Sequence, residues 1–180
     1  MLDSLITSRT RINLLLKFFL NSQNTSYLRD LESEFGGSTN AIRMELNRME
    51  QAGLLHSHKD GNKKLFQANR NHPLFDDIHN ILMKHTGLDQ VMERVIDGLG
   101  GLDRAYLTGE FARGKDNPVL DLLLVGSNIN ENYLLNVVRK SEKYISRRIR
   151  YIIVKPVEAD DLLDNYPEAL LLWAKVVGRR

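Results

Sequence analysis

The chain has 180 residues, 42% apolar and 27% charged, an ordinary globular composition long enough for one medium domain or two small ones. Having no cysteine, it can hold no disulfide, thiolate nucleophile, iron–sulfur cluster or zinc–thiolate site, and its longest apolar run, the six residues Ala169–Ala174, is too short for a bilayer-spanning helix. A formal net charge of +2 announces no polyanion partner, but the first 72 residues carry ten Lys/Arg against seven Asp/Glu and the remainder fifteen against sixteen, so a mildly basic front half precedes a near-neutral back half. The opening residues reach Arg9 and Arg11 without an apolar stretch, which predicts no secretory signal and a soluble, cytoplasmic protein.

In the front half, Ile12, Leu15, Leu16 and Phe19 recur at helical spacing. A second helix is expected over Tyr27 to Phe35, capped by Thr25 or Ser26, with Leu28, Leu31 and Phe35 on one face and Gly36-Gly37 as its stop. Ser38 then caps a third helix that buries Ile42, Leu46 and Met49 and ends at Ala52-Gly53. Two short helices joined by a glycine turn form the helix-turn-helix pattern, whose second helix reads the major groove. Beside Ser38, the exposed side of that helix carries Thr39, Asn40, Arg43 and Asn47. Arginine suits guanine edges, asparagine suits adenine, and hydroxyls suit phosphates. The same four residues also suit the solvated face of a purely structural helix.

Next, Leu54 to His58 alternates apolar and polar, Asp60-Gly61-Asn62 signals a hairpin turn, and Lys63 to Ala68 returns as a second strand. Lys59, Lys63 and Lys64 cluster at the tip, with Arg70 beyond and Asp60 as the opposing charge. Lysines on such a hairpin can sit on the phosphate backbone while the helix reads bases. Three helices followed by a basic hairpin, over roughly residues 5–72, resemble the winged-helix repressors of the arsenic-repressor-like type. The resemblance implies binding to double-stranded DNA, although some winged helices serve protein contacts alone. His56 and His58 share one strand face, but two imidazoles without carboxylate or thiolate company make a poor metal cage, and no metal site is assigned.

After Asn71-His72-Pro73 a connecting helix is expected from Leu74 to His85, with Leu74, Ile78, Ile81, Leu82 and His85 on one side. This stripe fits either packing within the chain or pairing with a second copy, as readers of two-fold sites need. Thr86-Gly87 ends it, and Leu88 to Leu99 follows as a helix closed by Gly98, Gly100 and Gly101.

Arg104 to Thr108 reads as a strand, followed by Gly109-Glu110-Phe111-Ala112-Arg113-Gly114, a loop through Pro118, and a strand from Val119 to Val125. Gly109, Ala112, Arg113, Gly114, Pro118 and Asp121 fall in register with the signature of small bacterial DNA polymerase β-like nucleotidyltransferases. The back half, roughly residues 88–180, therefore resembles that family, which implies a small α/β domain with a mixed sheet. The family's chemistry uses two divalent ions gathered by carboxylates at i and i+2 of one strand. Here that pair reads Asp121-Leu122-Leu123, Glu110 stands in place of the family's serine, and the later strand from Arg148 to Val154 carries no acid. The resemblance thus implies a kept fold and a lost catalysis, with Gly109, Glu110, Arg113 and Asp121 as vestiges, no catalytic or metal-binding residue, and no cofactor. A retained Asp121 has a structural use in holding Arg113 or a loop amide. A helix follows from Asn130 to Ile145, and the basic run at 139, 140, 143, 147, 148 and 150 suits a solvated face or an anion. Glu158 to Leu163 and Pro167 to Val177 have helical patterns, with Leu170, Leu171 and Trp173 as core.

The expected whole is an α+β chain: a winged helix-turn-helix domain at 1–72, a connecting helix at 73–87 and a nucleotidyltransferase-like domain at 88–180. Its expected role is a DNA-binding transcriptional regulator acting as a homodimer, with no membrane partner, whose back domain dimerises or senses a small-molecule or nucleotide effector. An active nucleotidyltransferase and an antitoxin-like interaction protein are the alternatives.

Overall fold

The computed structural model describes residues 2–176. These form two compact units, one reaching to His85 and including Arg113–Asp116, the other formed by Thr86–Ala112 and the chain from Asn117 onward.

In the first unit, α1 (Arg9–Leu15) starts where the Ser8 hydroxyl accepts the Arg11 N–H at 3.2 Å. It runs into a wider π-helical turn, Leu16–Leu20. Leu14 is buried beside Ile12 in α1, while the expected Leu15 is only partly covered, and the wider i→i+5 turn brings Phe18 and Leu20 inward beside Leu16 and Phe19. Lys17 is carried inward with them and is held by Glu34 at 2.8 Å.

Helix α2 (Leu28–Phe35) is not capped by Thr25 or Ser26. Ser26 and Tyr27 instead form a short strand, β1, which pairs antiparallel with Phe66 and Leu65, and this extended backbone makes Tyr27 the N-cap without a side-chain bond. Gly36, at φ 62°, adopts the left-handed conformation that ends α2, as the glycine pair predicts. Helix α3 (Thr39–Gln51) buries Ile42, Leu46 and Met49 as the spacing requires. Ser38 is its N-cap residue, but its hydroxyl makes no capping bond. Strands β2 (Leu55–Asp60) and β3 (Lys63–Ala68) pair with Asp60 opposite Lys63, leaving Gly61-Asn62 as a two-residue loop, and the sheet order is β1-β3-β2. Helix α4 (Phe75–Thr86) divides the expected stripe: Leu82 is buried, together with Phe75, whereas Ile81 and, just ahead of the helix, Leu74 are 46% and 53% exposed. The Phe75 ring lies tilted against Phe19, centres 5.7 Å apart, and the His79 Nδ1–H donates to the Phe19 carbonyl at 2.9 Å, which selects this face.

The second unit opens with α5 (Leu88–Gly98) and β4 (Leu102–Thr108). A single turn, α6 (Gly109–Ala112), leads toward β5 (Val119–Gly126). The crossover helix α7 (Glu131–Ile145), capped by the Asn130 side chain, then reaches β6 (Arg148–Val154). Helix α8 (Pro156–Leu163) and β7 (Leu170–Ala174) complete a four-stranded sheet of order β6-β5-β4-β7. Only β5 and β6 run parallel, so the sheet is mixed. Leu123 and Val125 on one face pack against Ala159 of α8. Leu120, Leu122 and Leu124 point to the other face and are also buried.

The helix expected from Pro167 to Val177 is not formed: Leu170–Ala174 is an edge strand antiparallel to β4, and Val177 lies outside the described residues. A short all-apolar run has no periodicity to separate helix from strand, and the free edge of β4 decides the matter. Leu171 is accordingly 49% exposed rather than core. Pro167 lies in a turn, and Pro156 is the proline that opens a helix. No helix among the described residues is long and apolar enough to cross a membrane.

Candidate functional site

In the first unit, the buried side of α3 dictates what its other side offers. Burying Ile42, Leu46 and Met49 leaves Asn40, Arg43 and Asn47 exposed, and Ser38 is exposed just ahead of them. Thr39 departs from expectation: its hydroxyl donates to Glu32, so it ties α3 to α2. A groove of about 680 Å³ lies between α2, α3 and the hairpin, lined by Arg29, Arg43, Asn47, Lys63 and Lys64, by the acid Glu32, and by the Tyr27 and Phe66 rings.

The three hairpin lysines are not equivalent. Lys63 Nζ lies 4.3 Å from the centre of the Tyr27 ring. Lys64 Nζ is 2.7 Å from Glu50 and 4.9 Å from the Phe66 ring centre, so this half-exposed cation is already engaged within the protein. Lys59 is exposed and makes no ion pair among the described residues. Sequence reading missed Glu50, on the last turn of α3, which also accepts the Ser57 hydroxyl and so binds both hairpin strands to the helix. The bonds from Lys64 and then Ser57 hold its carboxyl below the usual range. Glu45 was missed as well. It faces inward and accepts two bonds from Arg11, at 2.9 and 3.0 Å, and one from Arg48 at 3.2 Å, and the Arg11 bond leads in lowering its pKa. His56 and His58 are exposed on one face of β2, and no cluster of three or more metal-ligating side chains occurs among the described residues.

In the second unit, Thr108, Gly109, Asp121, Arg150, Ile152 and Tyr166 line a cavity of about 440 Å³ on the α8 face of the sheet. Asp121 stands directly across the parallel ladder from Arg150, which binds it through both oxygens at 2.6 and 2.9 Å. That pairing raises the Arg150 pKa and corrects the expectation that Asp121 holds Arg113 or a loop amide. Gly109, at φ 70°, is required here twice over: few other residues adopt that backbone, and a Cβ would lie 2.7 Å from the Asp121 carboxylate. Its N–H donates to Glu168 at 3.2 Å, a partner the sequence did not signal. Leu123, at the i+2 position, is 1% exposed beneath α8. Glu110 lies on α6, partly buried, and Arg113 belongs to the segment grouped with the first unit.

A two-cation centre needs several carboxylate oxygens converging on one point. Here one carboxylate is already neutralised by a guanidinium and its strand neighbour is a core leucine, so these residues do not fit such a centre. The basic run also divides: Arg147 is spent on the Asn117 carbonyl and the Phe111 ring and Arg150 on Asp121, while Arg139, Lys140, Lys143 and Arg148 are exposed.

No family model and no curated protein matches the chain. Among solved structures, the chain is similar to a candidate nucleotidyltransferase from Sulfolobus solfataricus, at 21% identity and a TM-score of 0.37, over 54% of this chain and 87% of the other. It is also similar to the AF1382 protein of Archaeoglobus fulgidus, at 15% identity and a TM-score of 0.38, over 52% of this chain and 98% of the other.

Proposed function

We propose that the chain is a DNA-binding transcriptional regulator, with residues 1–72 as a winged-helix reader, 73–87 as a connector and 88–180 as a nucleotidyltransferase-like domain without transferase chemistry. The observation that carries this reading is the shared groove: Arg43 and Asn47 on the exposed side of α3 and Lys63 of the hairpin line one basic concavity. Helix residues would read base edges while the hairpin sits on phosphates. The Arg150–Asp121 pair favours this reading over an active transferase. The exposed Ile81 on α4 and Leu74 just ahead of it suit a homodimer reading an inverted repeat, with half-sites about one helical turn apart.

The test is anisotropy binding of the gene's own upstream DNA against a scrambled duplex over a salt series. Selective binding with a steep salt slope is expected. Equal weak binding to both duplexes overturns the regulator reading and leaves the hairpin module as a protein-contact surface.

A further inference from the structure

We infer that the outer edge of β6 is a docking site for an acidic peptide that joins the sheet as an extra strand. β6 ends the strand order, so only one of its sides is paired. The Arg148 N–H donates to the Pro118 carbonyl at 2.8 Å, and in a parallel ladder alternate residues then face the same way. Arg148, Arg150, Ile152 and Val154 thus direct their backbone groups to β5, while Ile149, Tyr151 and Ile153 direct theirs outward. The Ile149 N–H is taken by Glu142 of α7 at 2.8 Å. The Tyr151 and Ile153 amides have no partner among the described residues. Two successive outward-facing residues supply the ladder that strand addition needs.

The flanking side chains define the guest. Leu135, Arg139 and Glu142 recur at i, i+4 and i+7 on α7, and the Glu142 bond places that stripe beside the β6 edge. On this flank Leu135 is 41% exposed and Arg139 is exposed. On the opposite face of the sheet, Ile152 is 49% exposed and Arg148 is exposed. An added strand therefore meets apolar and cationic side chains on each of its faces: Leu135 and Arg139 on one, and Ile152, Arg148 and the Asp121-bound Arg150 on the other. Glu142, the acid among them, is already bonded to Ile149. A strand with acidic and apolar side chains complements both faces, whereas pairing with a second copy brings together two edges of the same sign.

The probes are two labelled, end-blocked eight-residue peptides, one alternating Asp with Val and the other Lys with Val, titrated against the full chain. The acidic peptide is expected to bind saturably and about tenfold or more tightly than the basic one at low salt, and to slow hydrogen exchange at the Tyr151 and Ile153 amides. Ile153→Pro, which removes an outward N–H and no ladder bond, is expected to abolish that binding. Because proline can also disturb the strand, the double variant Arg139→Glu/Arg148→Glu is measured alongside, and it is expected to reverse the preference between the peptides. Failure of both peptides to bind, or a preference that survives charge reversal, overturns the proposal. So does protection of Tyr151 and Ile153 that grows with protein concentration alone, which would assign the edge to a second copy.

Discussion

Replacing Glu50 by Gln is expected to move stability and DNA affinity in opposite directions. The substitution keeps the side chain's shape and an acceptor for Ser57 but removes the charge that holds Lys64 at 2.7 Å. With Lys64 half exposed and Glu50 about a third exposed, the ion pair is screened by solvent. It is therefore worth no more than about 1 kcal/mol, which bounds the loss of folding stability. The same change releases a cation at the edge of the groove. One further phosphate contact steepens the slope of log K against log salt by about 0.9. If the whole of that pair energy is transferred to DNA, affinity at low salt rises about fivefold. Anisotropy titrations across a salt series, with urea denaturation of the same two proteins, read both quantities. Weaker binding by the Gln variant, or an unchanged salt slope, refutes the idea that Glu50 competes with phosphate for Lys64.

Arg43→Ala is expected to weaken binding to the preferred duplex by about 1–3 kcal/mol and to a scrambled duplex much less; equal losses would deny base reading by Arg43. The Glu45 carboxyl is held below its ordinary pKa, chiefly by Arg11, so its stabilisation is fully present above the unfolded value, about 4.3, and is lost as pH falls through the lower folded value. Urea midpoints measured down from about pH 5 should therefore fall less steeply for Glu45→Gln than for the parent, and identical slopes would contradict the assignment. Leu123→Asp places a carboxylate beneath α8 and is expected to cost about 3 kcal/mol or more, with no recovery on adding magnesium or manganese. A variant that regains stability with either ion would show that Arg150 does not prevent a cation site.

Much of the chain was legible because its signals are local. Gly36 ends α2, and the 42/46/49 spacing orients α3, because a left-handed stop and a helical period need no distant partner. The turn at Gly61-Asn62 is legible for the same reason. Where expectation failed, a distant segment decided the outcome. Ser26 and Tyr27 become a strand because Leu65 and Phe66 come alongside, and Leu170–Ala174 becomes a strand because β4 has a free edge. The candidate sites follow the same rule. Exposure of Arg43 and Asn47 comes from periodicity, whereas the engagement of Lys64 by Glu50 and of Asp121 by Arg150 depends on pairings that bring together residues 14 and 29 positions apart.

The bond from the Gly109 N–H to Glu168 has a consequence for any soluble anion that reaches that turn. Glu168 is attached to the same unit through β7, so it returns to the amide as a tethered competitor, not as one drawn from solution. A tether of this kind corresponds to an effective concentration of about a millimolar or more. A free phosphate or carboxylate of equal intrinsic affinity has to exceed that concentration before it holds the amide half the time. At micromolar levels of a ligand of equal intrinsic affinity, the turn at Gly109 is therefore held by the protein's own side chain far more often than by the ligand.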